Sequence, residues 1–273
     1  MKNPSLKSIW LMFGLFILLF IFNLGMTPHE SAAPRIWLVL DGWALVLSVL
    51  LLLRYKLPTK KHRALSLLLG VLVASAYLPF IENGWFSLIS GFVVTTVSAL
   101  AVFRTFEVYR ENRLHMLHSS GKGGVLGSIA LGLGVGVLWG ALNVGLMLAS
   151  GNEAQFKLTL SSFVVSLSPA ILEELAMRAL FFAFCLHLLK GGIHKRGQRF
   201  TCWFMMVVPH VLIHTPNAFI EKGVVGGVVS VILYVVIFGL PFAWLQKKRD
   251  VTSAMIAHGT VDCIRFLLFG LPM

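Results

Sequence analysis

The chain has 273 residues, of which 57% are hydrophobic and only 12% are charged, and its formal net charge is +12. Soluble globular domains hold about 25% charged residues, so the composition excludes a soluble fold of this size and indicates that lipid is the solvent. The positive charge does not predict nucleic-acid binding, because Lys and Arg lie in short loops between apolar runs.

Nine apolar runs, most of them close to the roughly 20 residues that a membrane helix needs, follow one another along the chain. They cover residues 8–25, 35–53, 64–81, 85–103, 124–149, 159–189, 201–219, 223–245 and 251–270. Backbone polar groups need internal partners in lipid, so each run predicts a helix. The runs lack the alternation of barrel strands. We therefore predict an all-α, polytopic membrane protein with about nine transmembrane helices, the first being a retained anchor.

Basic residues are concentrated at the N-terminus and in every second loop. They are Lys2 and Lys7; Arg54, Lys56, Lys60, Lys61 and Arg63; Arg104, Arg110, Arg113 and Lys122; Lys190, Lys195, Arg196 and Arg199; and Lys247, Lys248 and Arg249. Because positive loops stay in the cytoplasm, an odd number of spans predicts a cytoplasmic N-terminus and an external C-terminus. This pattern suits a bacterial inner membrane.

The most linker-like stretch of the chain is Ser119–Gly124, and it predicts a division into two regions. Residues 1–118 would form an N-terminal four-helix transmembrane region. Residues 119–273 would form a C-terminal region that contains five spans and, as described below, the candidate site.

The fifth run is rich in glycine, with Gly132, Gly136 and Gly140 at four-residue spacing. Small residues on one helical face let a neighbouring helix approach closely, so this stripe predicts helix packing. The three cysteines have no CxxC or Cys/His spacing, which argues against a disulfide framework or a zinc ribbon.

Ionisable residues are concentrated inside three spans of the C-terminal region. The sixth span holds Glu173, Glu174 and Arg178; the seventh holds His210 and His214; the ninth holds His258 and Asp262. Each such group costs about 2.5–3.5 kcal/mol at the centre of a membrane helix, so the groups should face inward, towards one another. On α-helices Glu174 and Arg178 share one face at four-residue spacing and can pair.

The chemistry available to such a cluster is hydrolytic. A carboxylate beside imidazoles can take a proton from water as a general base. A metal ion held by the same groups could activate water instead. A further histidine with an acidic or amide partner could stabilise an oxyanion.

The order and spacing of these residues resemble the CPBP family, which comprises CAAX proteases and bacteriocin-processing enzymes and includes the Abi and Rce1-type proteins. The family pattern is EExxxR, then FxxxH, then Hxxx(N/D), each on its own transmembrane helix. Here the pattern is matched by Glu173-Glu174-x-x-x-Arg178, by His214 and by His258-x-x-x-Asp262. The resemblance covers residues 158–270 and leaves the N-terminal region undiagnosed.

The resemblance implies a role for each matched residue. Glu173 and His214 would activate the hydrolytic water, His258 and Asp262 would stabilise the oxyanion, and Glu174 and Arg178 would order the site. Two positions depart from the pattern: His210 replaces the family's Phe, and Asp262 stands where an Asn is also found. An anionic Asp is a poor donor to an oxyanion unless it is protonated.

The function predicted from these observations is intramembrane endoproteolysis of a protein or peptide presented at the lipid bilayer. Catalysis without a metal, and catalysis with a divalent ion such as zinc held by Glu173, His214 and His258, both stay open. A membrane scaffold or immunity regulator of the same fold is the main alternative. A proton-coupled transporter is disfavoured, because the sequence has no inverted repeat and no pair of broken helices.

Overall fold

The structure is a computed structural model that describes residues 6–118 and 123–271. The regular secondary structure of these residues is helical throughout, which confirms the all-α prediction. Basic residues Lys2 and Lys122, and most of the predicted linker Ser119–Gly124, lie outside the described residues. The division of the chain between residues 118 and 119 stays a prediction.

Nine helical runs, here α1 to α9, occupy the described residues and agree with the nine predicted spans. Five are continuous: α1 is Leu6–Gly25, α2 is Ala32–Tyr55, α3 is Lys60–Ser75, α4 is Ile81–Val108 and α5 is Gly124–Ala149. Helix α6 begins with Leu160–Val165 and ends with Leu180–Leu188, α7 is Arg196–Leu212, α8 is Pro216–Lys248 and α9 is Val251–Phe269. Short 3-10 turns, His29–Ser31 and Leu78–Phe80, precede α2 and α4.

Seven of these runs are long and apolar enough to cross a membrane, judged by length and composition of the described residues. The other two are α6 and α7. Helix α6 is interrupted at Ser166, and α7 has 17 residues and begins with a basic turn that contains Arg196 and Arg199. The apolar helices identify the chain as an integral membrane protein.

Helix α6 is not a regular α-helix around its acidic residues. It contains two π-helical segments, Pro169–Glu173 and Leu175–Ala179. Proline lacks the N–H that an α-helix would use, and π turns shift the hydrogen bonds by one residue. The prediction that Glu174 and Arg178 share a face assumed a regular α-helix, and this assumption is wrong for residues 169–179.

The chain divides into two compact units, each built from three segments. The first unit contains the residues up to His62, Val97–Arg113 and Ala176–Ala243. The second unit contains Arg63–Thr96, Leu114–Leu175 and the residues from Trp244 onward. In the first unit, α1 packs against α7, and α2 packs against the last segment of α6 and the first part of α8.

In the second unit α5 packs along α9 through the glycine stripe predicted from the sequence. A β-carbon at Gly136 would lie 2.5 Å from the β-carbon of Thr260 and 2.8 Å from the carbonyl oxygen of Ala257. Gly132 and Gly140 approach α9 in the same way. The two backbones can therefore come this close only because the stripe has no side chains.

The start of α9 is fixed by Asp250, which is fully buried and caps the helix. Its Oδ1 accepts the backbone N–H of Ser253 at 2.7 Å, and its Oδ2 accepts the hydroxyl of Ser128 at 2.5 Å and the backbone N–H of His118 at 3.0 Å. An aspartate cap satisfies N–H groups that the first helical turn leaves unpaired. The cap and the serine of α5 thus set the position of α9, the helix that carries His258 and Asp262.

Candidate active site

Glu173 and Glu174 lie in the π-helical part of α6, within the second unit, and both are buried. Helix α9 reaches this part of α6 because Gly259 has no side chain: a β-carbon there would lie 2.9 Å from the β-carbon of Ala170. His258 directly precedes Gly259 in the chain, so this close approach holds the histidine beside the two glutamates.

His258 is bound to Glu174 through a short hydrogen bond. Its Nδ1 lies 2.7 Å from Oε1 of Glu174, whose side chain is completely buried. An ionised carboxylate can only accept, so Nδ1 of His258 is the donor in this pair. This contact fixes the orientation of the imidazole and leaves Nε2, on the other edge of the ring, for other partners.

Nε2 of His258 faces two further carboxylates. It lies 3.6 Å from Oε2 of Glu173 and 3.4 Å from Oδ2 of Asp262, both beyond the usual 2.7–3.2 Å of an N–H···O bond. Asp262 in turn has Oδ1 3.7 Å from Nη1 of Arg265. The buried acids Glu173, Glu174 and Asp262 and the partly buried His258 thus form one cluster in the second unit.

Gln246 is a residue of this cluster that the sequence did not single out. Its Nε2 donates to Oε2 and to the backbone carbonyl of Glu174, each at 2.8 Å, and the side chain is buried. It was missed because an uncharged amide just before the basic run Lys247–Arg249 looks like part of a loop. A buried carboxylate without a donor is costly, so Gln246 stabilises the Glu174 that orients His258.

The two histidines of the second motif belong to the first unit and lie side by side. Nε2 of His210 is 3.2 Å from Nε2 of His214, and the ring centroids are 5.1 Å apart. His210 is buried, whereas His214 is exposed.

His214 was predicted to lie inside a helix, but the structure places it outside one. Helix α7 ends at Leu212, and His214 occupies the turn before α8, where its N–H donates to the carbonyl of Val211 at 3.1 Å. The reason is Pro216, which begins α8 and disfavours helical geometry at the preceding residue. The predicted seventh span, 201–219, is therefore a helix, a turn and the start of the next helix.

Trp37 on α2 packs against His214, with ring centroids 5.2 Å apart and planes at 86°. Such an edge-to-face contact holds one ring against the other. The sequence signal was weak, because a tryptophan near the end of a span is typical of a membrane interface. The contact brings a residue of the N-terminal region to the second motif.

Arg178, the last residue of the first motif, is almost completely buried. Its guanidinium carbon lies 5.4 Å from the ring centroid of Phe242, a distance at which an arginine and an aromatic face attract one another. Both residues belong to the first unit.

The side chains at positions 173, 174, 210, 214, 258 and 262 offer imidazole nitrogens and carboxylate oxygens. They suit proton transfer, and they also suit zinc, which binds His nitrogen and Asp or Glu oxygen. The set Glu173, His214 and His258 as metal ligands stays a prediction.

Comparison with known proteins supports the family resemblance. Residues 155–264, about two fifths of the chain, match the Rce1-like family, described as type II CAAX prenyl endopeptidase Rce1-like. The match contains all three motifs and confirms the resemblance stated from them. It implies protease activity in general and a peptide or protein substrate at the membrane. No curated protein and no solved structure matches the chain.

Proposed function

We propose that this chain, with its Rce1-like C-terminal region, is an intramembrane endopeptidase that hydrolyses a peptide bond of a membrane-presented protein or peptide. The observation that carries the proposal is the cluster of three buried acids, Glu173, Glu174 and Asp262, around the partly buried His258, formed by residues of the first and third motifs. Buried acids that surround one imidazole in an apolar protein are costly, and a catalytic requirement explains their presence.

In the proposed reaction Glu173, with His214, takes a proton from a water molecule as the water oxygen attacks the scissile carbonyl carbon. The electron pair of the carbonyl π bond moves to the oxygen, which becomes an oxyanion. The C–N bond then breaks, and the proton passes to the leaving amine. A positioned general base contributes about 10²–10⁴-fold to such a step.

His258 is proposed to donate from Nε2 to the oxyanion. Because Nδ1 already donates to Glu174 at 2.7 Å, a second donor at Nε2 requires the imidazolium form, in which both ring nitrogens carry a proton. The carboxylates of Glu173, Glu174 and Asp262 around the ring would stabilise that cation. Removing one such donor in comparable hydrolases lowers turnover about 10²–10³-fold. Asp262 lies beside Nε2 and belongs to the same part of the site.

Glu174 and Arg178 are proposed to order the site and not to touch the substrate. Glu174 has that role because it binds both His258 and Gln246. The protein is proposed to lie in a bacterial inner membrane with its N-terminus in the cytoplasm, on the basis of its alternating basic loops.

The experiment that tests this function compares cells that express the wild-type chain with cells that express Glu173→Gln. Mass spectrometry of the membrane fraction should find at least one peptide or protein that accumulates uncleaved in the variant. The substitution keeps the size of the side chain but removes its capacity to accept a proton.

Glu153→Gln is the matched control, because Glu153 is an exposed acid of the same chain. It should leave the cleavage pattern unchanged, and both variants should reach the membrane in equal amounts. Identical patterns in all three strains would contradict the protease function and favour a non-catalytic scaffold or regulator.

A further inference from the structure

We propose that His210 and His214 form a two-imidazole site for a divalent transition-metal ion such as Zn²⁺. The inference goes beyond the proposed hydrolysis and does not depend on it. Its starting point is the side chain at position 210, where the family pattern has Phe and this chain has a second imidazole.

The two ring nitrogens lie at the distance of metal ligands. Nε2 of His210 lies 3.2 Å from Nε2 of His214. Zinc binds imidazole nitrogen at about 2.0–2.1 Å, and two such ligands at a tetrahedral angle lie about 3.3 Å apart. The two nitrogens therefore have the spacing of a chelating pair before any ion is added.

The two rings are also held in place by their surroundings. His214 lies two residues after the end of α7 at Leu212. The turn is closed by the N–H of His214, which donates to the carbonyl of Val211 at 3.1 Å, and by the hydroxyl of Thr215, which donates to the carbonyl of Leu212 at 2.8 Å. Trp37 packs on the ring of His214, and His210 is buried. A pair fixed in this way loses little conformational entropy when it binds an ion.

The pair of imidazoles is accessible at His214. His214 is exposed while His210 is buried, so an ion can reach the pair from one side and keep positions for further ligands. Two imidazoles favour zinc, nickel or copper over the hard ions magnesium and calcium, which prefer oxygen. If the proposed hydrolysis is also correct, the bound ion occupies a ring nitrogen of His214, which is part of the proposed general base. The metal concentration then regulates the proteolytic activity.

A hydrogen bond between the two rings would have the same length, so the test must measure metal binding directly. Full-length protein without a histidine tag is purified in detergent, treated with a chelator and titrated with Co²⁺, whose visible absorption reports nitrogen coordination; Zn²⁺ then competes for the site. The wild type is compared with His210→Phe, which installs the aromatic of the family pattern, and with His210→Gln, which keeps a polar side chain.

Loss of one of two ligands should weaken Co²⁺ and Zn²⁺ binding at least tenfold in both His210 variants. The matched control is His118→Phe, which disrupts the other close pair, His115 and His118, whose rings lie 4.7 Å apart; its affinity should equal that of the wild type. Thermal unfolding checks each variant, and if His210→Phe does not fold, His210→Gln decides. Equal affinity in the wild type and a folded His210 variant, or absence of binding by the wild type, would overturn the proposal.

Discussion

Position 262 carries an aspartate in this chain, whereas the family pattern also allows an asparagine, whose amide could donate to an oxyanion. Its carboxylate lies 3.4 Å from Nε2 of His258 and 3.7 Å from Arg265. A carboxylate accepts hydrogen bonds, whereas an asparagine amide also donates them. In the proposed site Asp262 therefore acts on the orientation of His258, and His258 donates to the oxyanion.

Asp262→Asn tests this division of roles. The amide keeps the size of the side chain and adds a donor beside the proposed oxyanion, so kcat should stay within about threefold of the wild type or rise. Asp262→Ala removes the group and should lower kcat about 10²-fold, the range of one lost oxyanion-site contact. Both are measured on purified protein with a cleaved membrane peptide. If Asp262→Asn is as inactive as Asp262→Ala, the negative charge itself is required.

Residues of the candidate site could be proposed from the sequence when they carry an ionisable group. Such a group is costly inside a membrane span, which is why Glu173, His258 and Asp262 were predicted as site residues. Gln246 and Trp37 could not be. An amide beside a basic loop and a tryptophan near a span end both have an ordinary interfacial explanation, and only tertiary contacts reveal their partners.

At the scale of the helices, the position of His258 depends on how closely α9 packs on α5. The stripe of Gly132, Gly136 and Gly140 faces Ile256, Thr260 and Ile264 on α9. Helix α5 lies outside the segment that matches the family. It nevertheless belongs to the same compact unit as the cluster around His258, and it sets the position of the helix that carries this residue.

Gly136→Ala should destabilise the protein and lower its activity. The new β-carbon would lie 2.5 Å from Thr260, so α9 must shift, and overpacking of this kind costs about 1–3 kcal/mol. The control is Gly134→Ala on the same helix, where a β-carbon meets nothing within 4 Å. It should keep or raise the unfolding temperature, because Ala favours helix over Gly. Equal unfolding temperatures and equal activities for the two variants would contradict the packing role.

The helices themselves were largely predictable, because a run of apolar residues in lipid has few alternatives to a helix. Their irregularities were not. Residues Pro169–Ala179 form π turns, in which the backbone hydrogen bonds are shifted by one residue. A prediction that assumes 3.6 residues per turn does not include this shift. The turn at His214 had a signal in Pro216, but the apolar run that continues through it concealed the boundary.

At the scale of the whole molecule, the alternating basic loops predict which side of the membrane each end faces. A cytoplasmic N-terminus and an external C-terminus require an odd number of spans, and the nine helical runs of the described residues fit that number.

Reporter fusions measure this orientation. In bacterial cells a C-terminal alkaline phosphatase fusion should be active, since that enzyme needs the oxidising external side, and a C-terminal green fluorescent protein fusion should be dark. A fusion truncated after Arg249, which directly follows α8, should give the reverse pattern. Fluorescence from the full-length C-terminal fusion would place the C-terminus in the cytoplasm and contradict the predicted orientation.

The most direct test of the account measures water addition by the purified protein. A membrane peptide identified as its substrate is incubated in H₂¹⁸O with the wild-type chain, with Glu173→Gln and with Glu153→Gln, and both product termini are analysed by mass spectrometry. We predict one ¹⁸O atom in the new carboxylate, the same rate for wild type and Glu153→Gln, and a rate about 10²–10⁴-fold lower for Glu173→Gln. Turnover by Glu173→Gln at the wild-type rate would contradict it.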